Sequence, residues 1–178
     1  MGVFDSDEVQ GAEEQGGGSP PYFQPGTYIV KLAQLKELDP NSSDPRKRTR
    51  SGRAFVINGT VVAARSSHPK APEEGTLAGQ WIGLDKNKED AKKLARADVK
   101  AFGILLAKAL GGNPDAWTKE QWAKFDKVIM SKDGRALADN PKMPLLKLEC
   151  FMNRAGTFTI HRWHVATPED LAEFGVAA

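Results

Sequence analysis

Catalysis or metal binding in this chain would have to be built from three histidines and one cysteine. His161 and His164 stand three apart in a stretch that reads as a strand, so they face opposite ways and make a poor metal pair. His68 is isolated from both. Cys150 sits among Leu148, Phe151 and Met152 and reads as a packed, inert thiol. One cysteine allows neither an intrachain disulfide nor a cysteine metal cluster. No HExxH, no phosphate-binding Gly-rich loop ending in GK[ST] and no nucleophile elbow is present. Asp85, Glu89 and Asp90 lie close together, but at the start of a helical stretch, where acids suit the positive end of the dipole. These residues point away from an enzyme, and no cofactor or metal is expected.

The pattern that suggests chemistry is cationic. Arg46, Lys47, Arg48, Arg50 and Arg53 place five cations in eight residues of a chain whose net charge is +2. So dense a cluster repels itself, and a polyanion relieves the repulsion. Arg65, Arg154 and Arg162 add charge in neighbouring segments, and Trp81 and Trp163 offer aromatic faces. Cations for phosphates and flat rings for bases are the requirements of sequence-tolerant single-strand binding. If four or five loop cations each neutralise one phosphate, log K falls with log salt at a slope of about −3 for a single strand. A ring under a base contributes roughly 1–3 kcal/mol. Each feature also has a plainer reading. A charged loop is often only solvated, Trp81 and Trp163 suit a core, and Trp117 and Trp122 suit the packing of helices. An arginine cluster also binds acidic protein partners.

The elements that must position these residues follow from length, charge and periodicity. A chain of 178 residues, 40% hydrophobic and 27% charged, has enough apolar material for one domain without disulfide staples. No apolar run approaches the roughly 18 residues of a membrane span. The N-terminus is acidic and polar, unlike a secretory signal, so a soluble cytoplasmic protein is expected. Asp5, Asp7, Glu8, Glu13 and Glu14 leave only 18 of the 23 acids to face 25 cations in the rest of the chain. Residues 1–24 read as a disordered, acidic, Gly-rich tail and residues 25–178 as the domain. The tail's charge suits either internal competition for the basic loop or recruitment of partner proteins.

Strands are predicted over residues 27–38, 53–65, 76–85, 143–151 and 157–165. Gly59 inside the second marks a bulge or sharp bend. Apolar spacing from Ala91 to Leu110 predicts a helix, stopped by Gly111-Gly112. Thr118 and Gln121 have the spacing of a capping box for a second helix. Thr167 and Pro168 start a short C-terminal one. The fold class is mainly β with a helical insertion (α+β). A five-stranded OB-like barrel with its helices between strands 3 and 4 suits this order, and an open α+β sheet is the alternative. In an OB-fold the loop between strands 1 and 2, the loop between strands 4 and 5, and the face of strands 2–3 bind oligonucleotides. Those places correspond to the Arg46–Arg53 loop, Arg154 and Trp81.

With these elements in place, the chain resembles phage-encoded single-stranded-DNA-binding-like proteins with OB-type sheets. The resemblance covers about residues 25–175. Its carriers are Pro25-Gly26-Thr27-Tyr28-Ile29-Val30-Lys31-Leu32, the Phe55–Val62 and Trp81–Leu84 strands, and the helix ending Val99–Gly111. The hairpin Phe158–Val165 followed by Thr167-Pro168-Glu169-Asp170 completes it. It implies single-stranded DNA binding in phage replication or recombination, in the host cytoplasm. Replication or recombination proteins are expected partners for the acidic tail. The chain departs from bacterial single-strand-binding proteins in having its acidic tail at the N-terminus and a long helical insertion. The alternative is a phage structural or assembly protein whose Arg-rich loop binds protein.

Overall fold

The structure, a computed structural model, describes residues 20–177. The expectations for the acidic tail concern residues outside that range, apart from its last five positions. Five strands form one antiparallel sheet in the order β3-β2-β1-β4-β5. They are β1 (Gly26–Leu38), β2 (Ala54–Arg65), β3 (Leu77–Gly83), β4 (Leu146–Met152) and β5 (Thr159–Val165).

The 13-residue β1 is the centre of the sheet, pairing with β2 along its length and with β4 over Gly26–Val30. Its register on β2 slips between Ile29 and Val30 and again between Leu32 and Gln34. Such irregularities bend and twist a strand. Gly59 pairs with Leu32 beside the second slip, and a Cβ there would overlap Val30 Cγ1. The irregularity anticipated at Gly59 lies on the facing strand, where Ala33 of β1 is the extra residue. The glycine itself has a steric reason, since the approach of Val30 leaves no room for a side chain.

The sheet does not close into a barrel. No β-ladder joins β3 to β5. The seam is spanned by side chains instead, because other groups occupy it. Trp163 Nε1 donates to Gln80 Oε1 across it at 2.7 Å. Helix α1 (Glu89–Ala109) lies against both edges, with Phe102 packed edge-on to Trp163 at 5.4 Å. Residues 20–23 take the β3 edge: Gly79 N donates to Pro21 O at 2.9 Å and Phe23 N to Gly79 O at 3.1 Å. Phe23 is only 2% exposed and packs edge-on to Trp163 from the other side. Residues 20–24 therefore belong to the fold, not to the tail in which the composition placed them.

Apolar residues on one face of the sheet make two adjoining cores. Leu32, Leu35, Phe55, Ile57, Ile82 and Leu146 pack against Ala95, Phe102 and Leu106 of α1. Tyr28, Val30, Val61, Ala78, Leu148 and Cys150 gather around Phe23. Burial pushes the Cys150 thiol up to about 12, far from the range in which a thiolate forms.

Helix α2 (Lys119–Ile129) starts at the capping box seen in the sequence, with Thr118 N donating to Gln121 Oε1 at 2.8 Å. The single turn α3 (Ser131–Gly134) follows, where the sequence pattern marks only a return toward strand. Lys132, Asp133 and Gly134 are all left-handed, at φ 53°, 57° and 75°. Tertiary contacts hold this turn against its local preference, which costs about 1–2 kcal/mol for each non-glycine residue. Gln34 Nε2 donates to Asp133 O at 2.8 Å, and Gly134 lies on the Leu35 backbone. The turn thereby covers β1 beyond the reach of β4. Helix α4 (Pro168–Glu173) is anchored by Lys147, whose ammonium lies 2.8 Å from Asp170 and holds that carboxyl at about 2.

His161 ties β5 to residues 20–24. Burial lowers it to about 4, against weaker opposing hydrogen bonds to the backbone of Thr159 and Phe23. The unfolded chain protonates this group near its ordinary 6.5. The folded chain resists until about pH 4, so stability from this group falls as pH drops through that window. Glu37 and Asp98, both raised by burial, act with the opposite sign. Wild type minus His161→Gln isolates the histidine. Thermal unfolding at pH 7 and pH 4.5 is expected to show a His161-dependent loss of about 2–3 kcal/mol. An equal change in both proteins would remove the assignment.

Candidate nucleic-acid interface

The basic loop between β1 and β2 is ordered by its own backbone and by acids from other elements. Asp39 N donates to Lys47 O at 2.8 Å, closing its base. Asp44 caps a short turn over Pro45–Lys47, accepting from Arg46 N at 3.0 Å. Thr49 is buried, with its hydroxyl donating to Gly52 O. Gly52, at φ 115°, turns the chain where a Cβ would meet the Asp85 side chain at 2.9 Å. Asp85 then accepts from Arg53 N at 2.8 Å and from its guanidinium at 2.9 Å. Those hydrogen bonds hold the Asp85 carboxyl at about 2. Asp85 lies on the turn after β3, so it fastens the loop's exit to the neighbouring strand.

The five cations are not equivalent. Arg46 pairs with Asp44 at 2.9 Å, Lys47 with Asp133 at 3.3 Å and Arg53 with Asp85 at 2.9 Å. Arg48 Nε donates to the Ser42 carbonyl at 2.6 Å. Arg48 and Arg50 have no acidic partner among the described residues. The self-repulsion anticipated for the cluster is thus partly relieved within the molecule. Exposed ion pairs contribute roughly 0–1 kcal/mol, so a phosphate can replace the carboxylate at small cost.

Trp81 stands beside this loop on the face of the sheet opposite the main core. Lys36, Val56 and Trp81 pair in one row across β1, β2 and β3, and Leu38, Ala54 and Gly83 in the next. Cross-strand partners share a face. The half-buried Trp81 ring beds on Leu38, Ala54 and Val56. Lys86 lies over Gly83, where a Cβ would meet its ammonium at 3.1 Å. Lys36 and Lys86 therefore join Trp81 and the loop on one surface. Nothing in their sequence context marks them, because only strand register brings them there.

The remaining predicted residues lie elsewhere. Trp163 points inward, hydrogen-bonded to Gln80 with aromatic edges against both sides. Arg65 grips α4, pairing with Glu173 and stacking on Phe174 at 4.6 Å. Arg154 occupies the β4–β5 turn, and Arg162 stacks on Phe151 at 4.9 Å. Gly26 pairs with Cys150, so that turn stands at the N-terminal end of β1 and the basic loop at the other. The strand between them spans up to about 40 Å. Exposed Phe151, Met152 and Phe158 flank Arg154 along the hairpin sequence. Phe151 and Phe158 read as strand residues in the sequence, but the hairpin projects beyond its neighbours and leaves all three uncovered.

Among the described residues no group of three or more His, Cys, Asp and Glu is placed to hold a metal ion. None of the described helices is long and apolar enough to cross a membrane. Compared with known protein families, curated proteins and solved structures, the chain has no match.

Proposed function

We propose that this protein binds single-stranded DNA with little sequence preference, through an OB-type sheet, in phage replication or recombination. The observation that carries the reading is the Trp81 ring, bedded on the outer face beside a loop whose Arg48 and Arg50 lack acidic partners among the described residues. A ring so supported stacks a base without rearranging, and the adjacent cations meet the phosphates. Lys36 and Lys86 extend the cationic surface to both sides of the ring. The strand order, the two register slips of β1 and the Trp163–Gln80 hydrogen bond across the open β3–β5 seam support the OB-type part of the reading.

The test is fluorescence anisotropy of labelled oligo-dT and duplex DNA at two salt concentrations. Salt-sensitive binding that favours oligo-dT is expected, and no binding to oligo-dT at low salt would end the reading. Trp81→Ala is expected to weaken binding roughly 5- to 100-fold, with the salt slope preserved, because it removes stacking and no charge. An unchanged affinity would move the site off this face. A second reading, an assembly protein binding a protein partner, draws on exposed Phe151, Met152 and Phe158 flanking Arg154 along the hairpin sequence. It predicts no salt-sensitive binding to oligo-dT, the outcome that ends the first reading.

A further inference from the structure

We propose that the cleft between the open end of the sheet and helices α1 and α2 binds one guanine nucleotide. Its base would lie between the aromatic walls and its phosphate at Arg53 and Lys100. The proposal rests on the single-strand reading only for the source of the nucleotide, which is either a residue of a bound strand or a free one.

The cleft has a volume of about 660 Å³ and opens beside the basic loop, with which it shares Arg53. Phe55, Trp122 and Phe125 supply flat walls. The two helix rings are fixed edge to face at 6.1 Å, and Trp117 braces both. A pocket of this kind, mostly apolar with a few convergent polar groups, is the usual form of a small-molecule site.

Helix α1 departs from its own local preference at the same place. Gly103 lies in its interior, where glycine costs about 1 kcal/mol relative to alanine. Close packing does not require it, since a Cβ would meet Trp122 at 3.7 Å, an ordinary contact. A larger side chain would instead fill the cleft that Gly103 lines.

The polar groups select the ligand. Glu37 and Asp126 both line the cleft, and neither makes a hydrogen bond or ion pair through its carboxylate among the described residues. Partial desolvation at the cleft, with Asp126 nearby and Lys47 opposing, raises the exposed Glu37 carboxyl above its ordinary value. Of the four bases, only guanine presents two adjacent donors, N1–H and N2–H, to one carboxylate. Adenine and cytosine each set an amine beside an acceptor, and thymine flanks its N3–H with carbonyls that a carboxylate repels. Lys100 and Arg53 line the cleft as cations for the phosphate. Arg53 is held by Asp85 at 2.9 Å, so a phosphate there takes the place of an exposed ion pair, and Asp39 is a third acid on the lining. A purely apolar ligand would leave these charges unused.

The experiment uses the full chain and oligo-dT of about 20 nucleotides, unmodified or with one central dG, dA or dC. Free GMP is titrated separately by calorimetry. The dG oligomer is expected to bind about tenfold more tightly than oligo-dT. Glu37→Gln and Gly103→Leu are each expected to erase that preference, with oligo-dT affinity unchanged and thermal stability not lowered, Gly103→Leu raising it through helix propensity. A dG preference with GMP silent supports the cleft and makes the strand its source. Saturable GMP binding, lost in Glu37→Gln, with no oligomer bound supports the cleft and ends the single-strand reading. Equal binding of all four oligomers with GMP silent overturns the proposal and leaves that reading standing. A dG preference surviving both substitutions overturns it as well, as does silence of every probe.

Discussion

Replacing Arg46, Lys47, Arg48 and Arg50 together by alanine is expected to lower oligo-dT affinity about 100- to 1,000-fold at low salt, with the salt slope reduced toward zero. The fold is expected to survive. All four side chains belong to the surface, and their ion pairs are of the exposed kind that contribute little. The structure also predicts how the loss divides. Arg46 and Lys47 already face Asp44 and Asp133, so a phosphate that takes them must displace a carboxylate. Arg48 and Arg50 have no such competitor among the described residues. Arg48→Ala with Arg50→Ala should therefore weaken binding more than Arg46→Ala with Lys47→Ala. Anisotropy titrations of both double variants over a range of salt decide it. Equal losses would mean that the loop acts as a diffuse charge, and no loss in the quadruple variant would place the interface elsewhere.

Gly134→Ala is the substitution expected to harm the fold most directly. Gly134 is at φ 75°, a conformation that an L side chain adopts at a cost. Its added Cβ would also collide with the Leu35 carbonyl oxygen of β1, and backbone cannot swing aside as a side-chain end can. The turn must then lift from β1, breaking the Gln34–Asp133 hydrogen bond and the Lys47–Asp133 pair. A loss of more than about 2 kcal/mol is expected, measured as a shifted urea midpoint. Because Asp133 tethers Lys47, the basic loop should also become more mobile, seen as faster amide exchange across residues 39–53. A midpoint unchanged from wild type would show that the turn does not bear on β1 as described. At Gly156, where no atom lies within 4 Å of an added Cβ, alanine meets only the backbone cost of φ 67° and provides the control.

The elements that could be read directly are those whose cause is local. Alternation gives away the five strands, and the spacing from Ala91 to Leu110 gives away α1. The capping boxes at Thr118 and Thr167 are written in four consecutive residues each. The left-handed turn at Lys132–Gly134 escaped because its conformation is imposed by Gln34 and Leu35, roughly a hundred positions earlier. Phe23 escaped for a similar reason. It follows two prolines and an acidic stretch, and only the free edge of β3 explains its burial.

The candidate interface divides along the same line. That one loop holds five cations is a property of the sequence alone, as is the presence of Trp81 and Trp163 in strands. Which face of the sheet each tryptophan takes was decided only by the tertiary structure. A slip of one residue in register moves a side chain to the other face, and β1 slips twice against β2. Trp163 is drawn inward by Gln80, Phe23 and Phe102, all distant in sequence, while Trp81 stays outside beside Lys36 and Lys86. Tertiary structure likewise assigned Asp85 to Arg53 and Asp133 to Lys47, and it set Arg154 at the far end of β1. Charge and periodicity are carried by residues one at a time or by near neighbours. The pairing of charges and the facing of rings depend on which distant segments the sheet brings together.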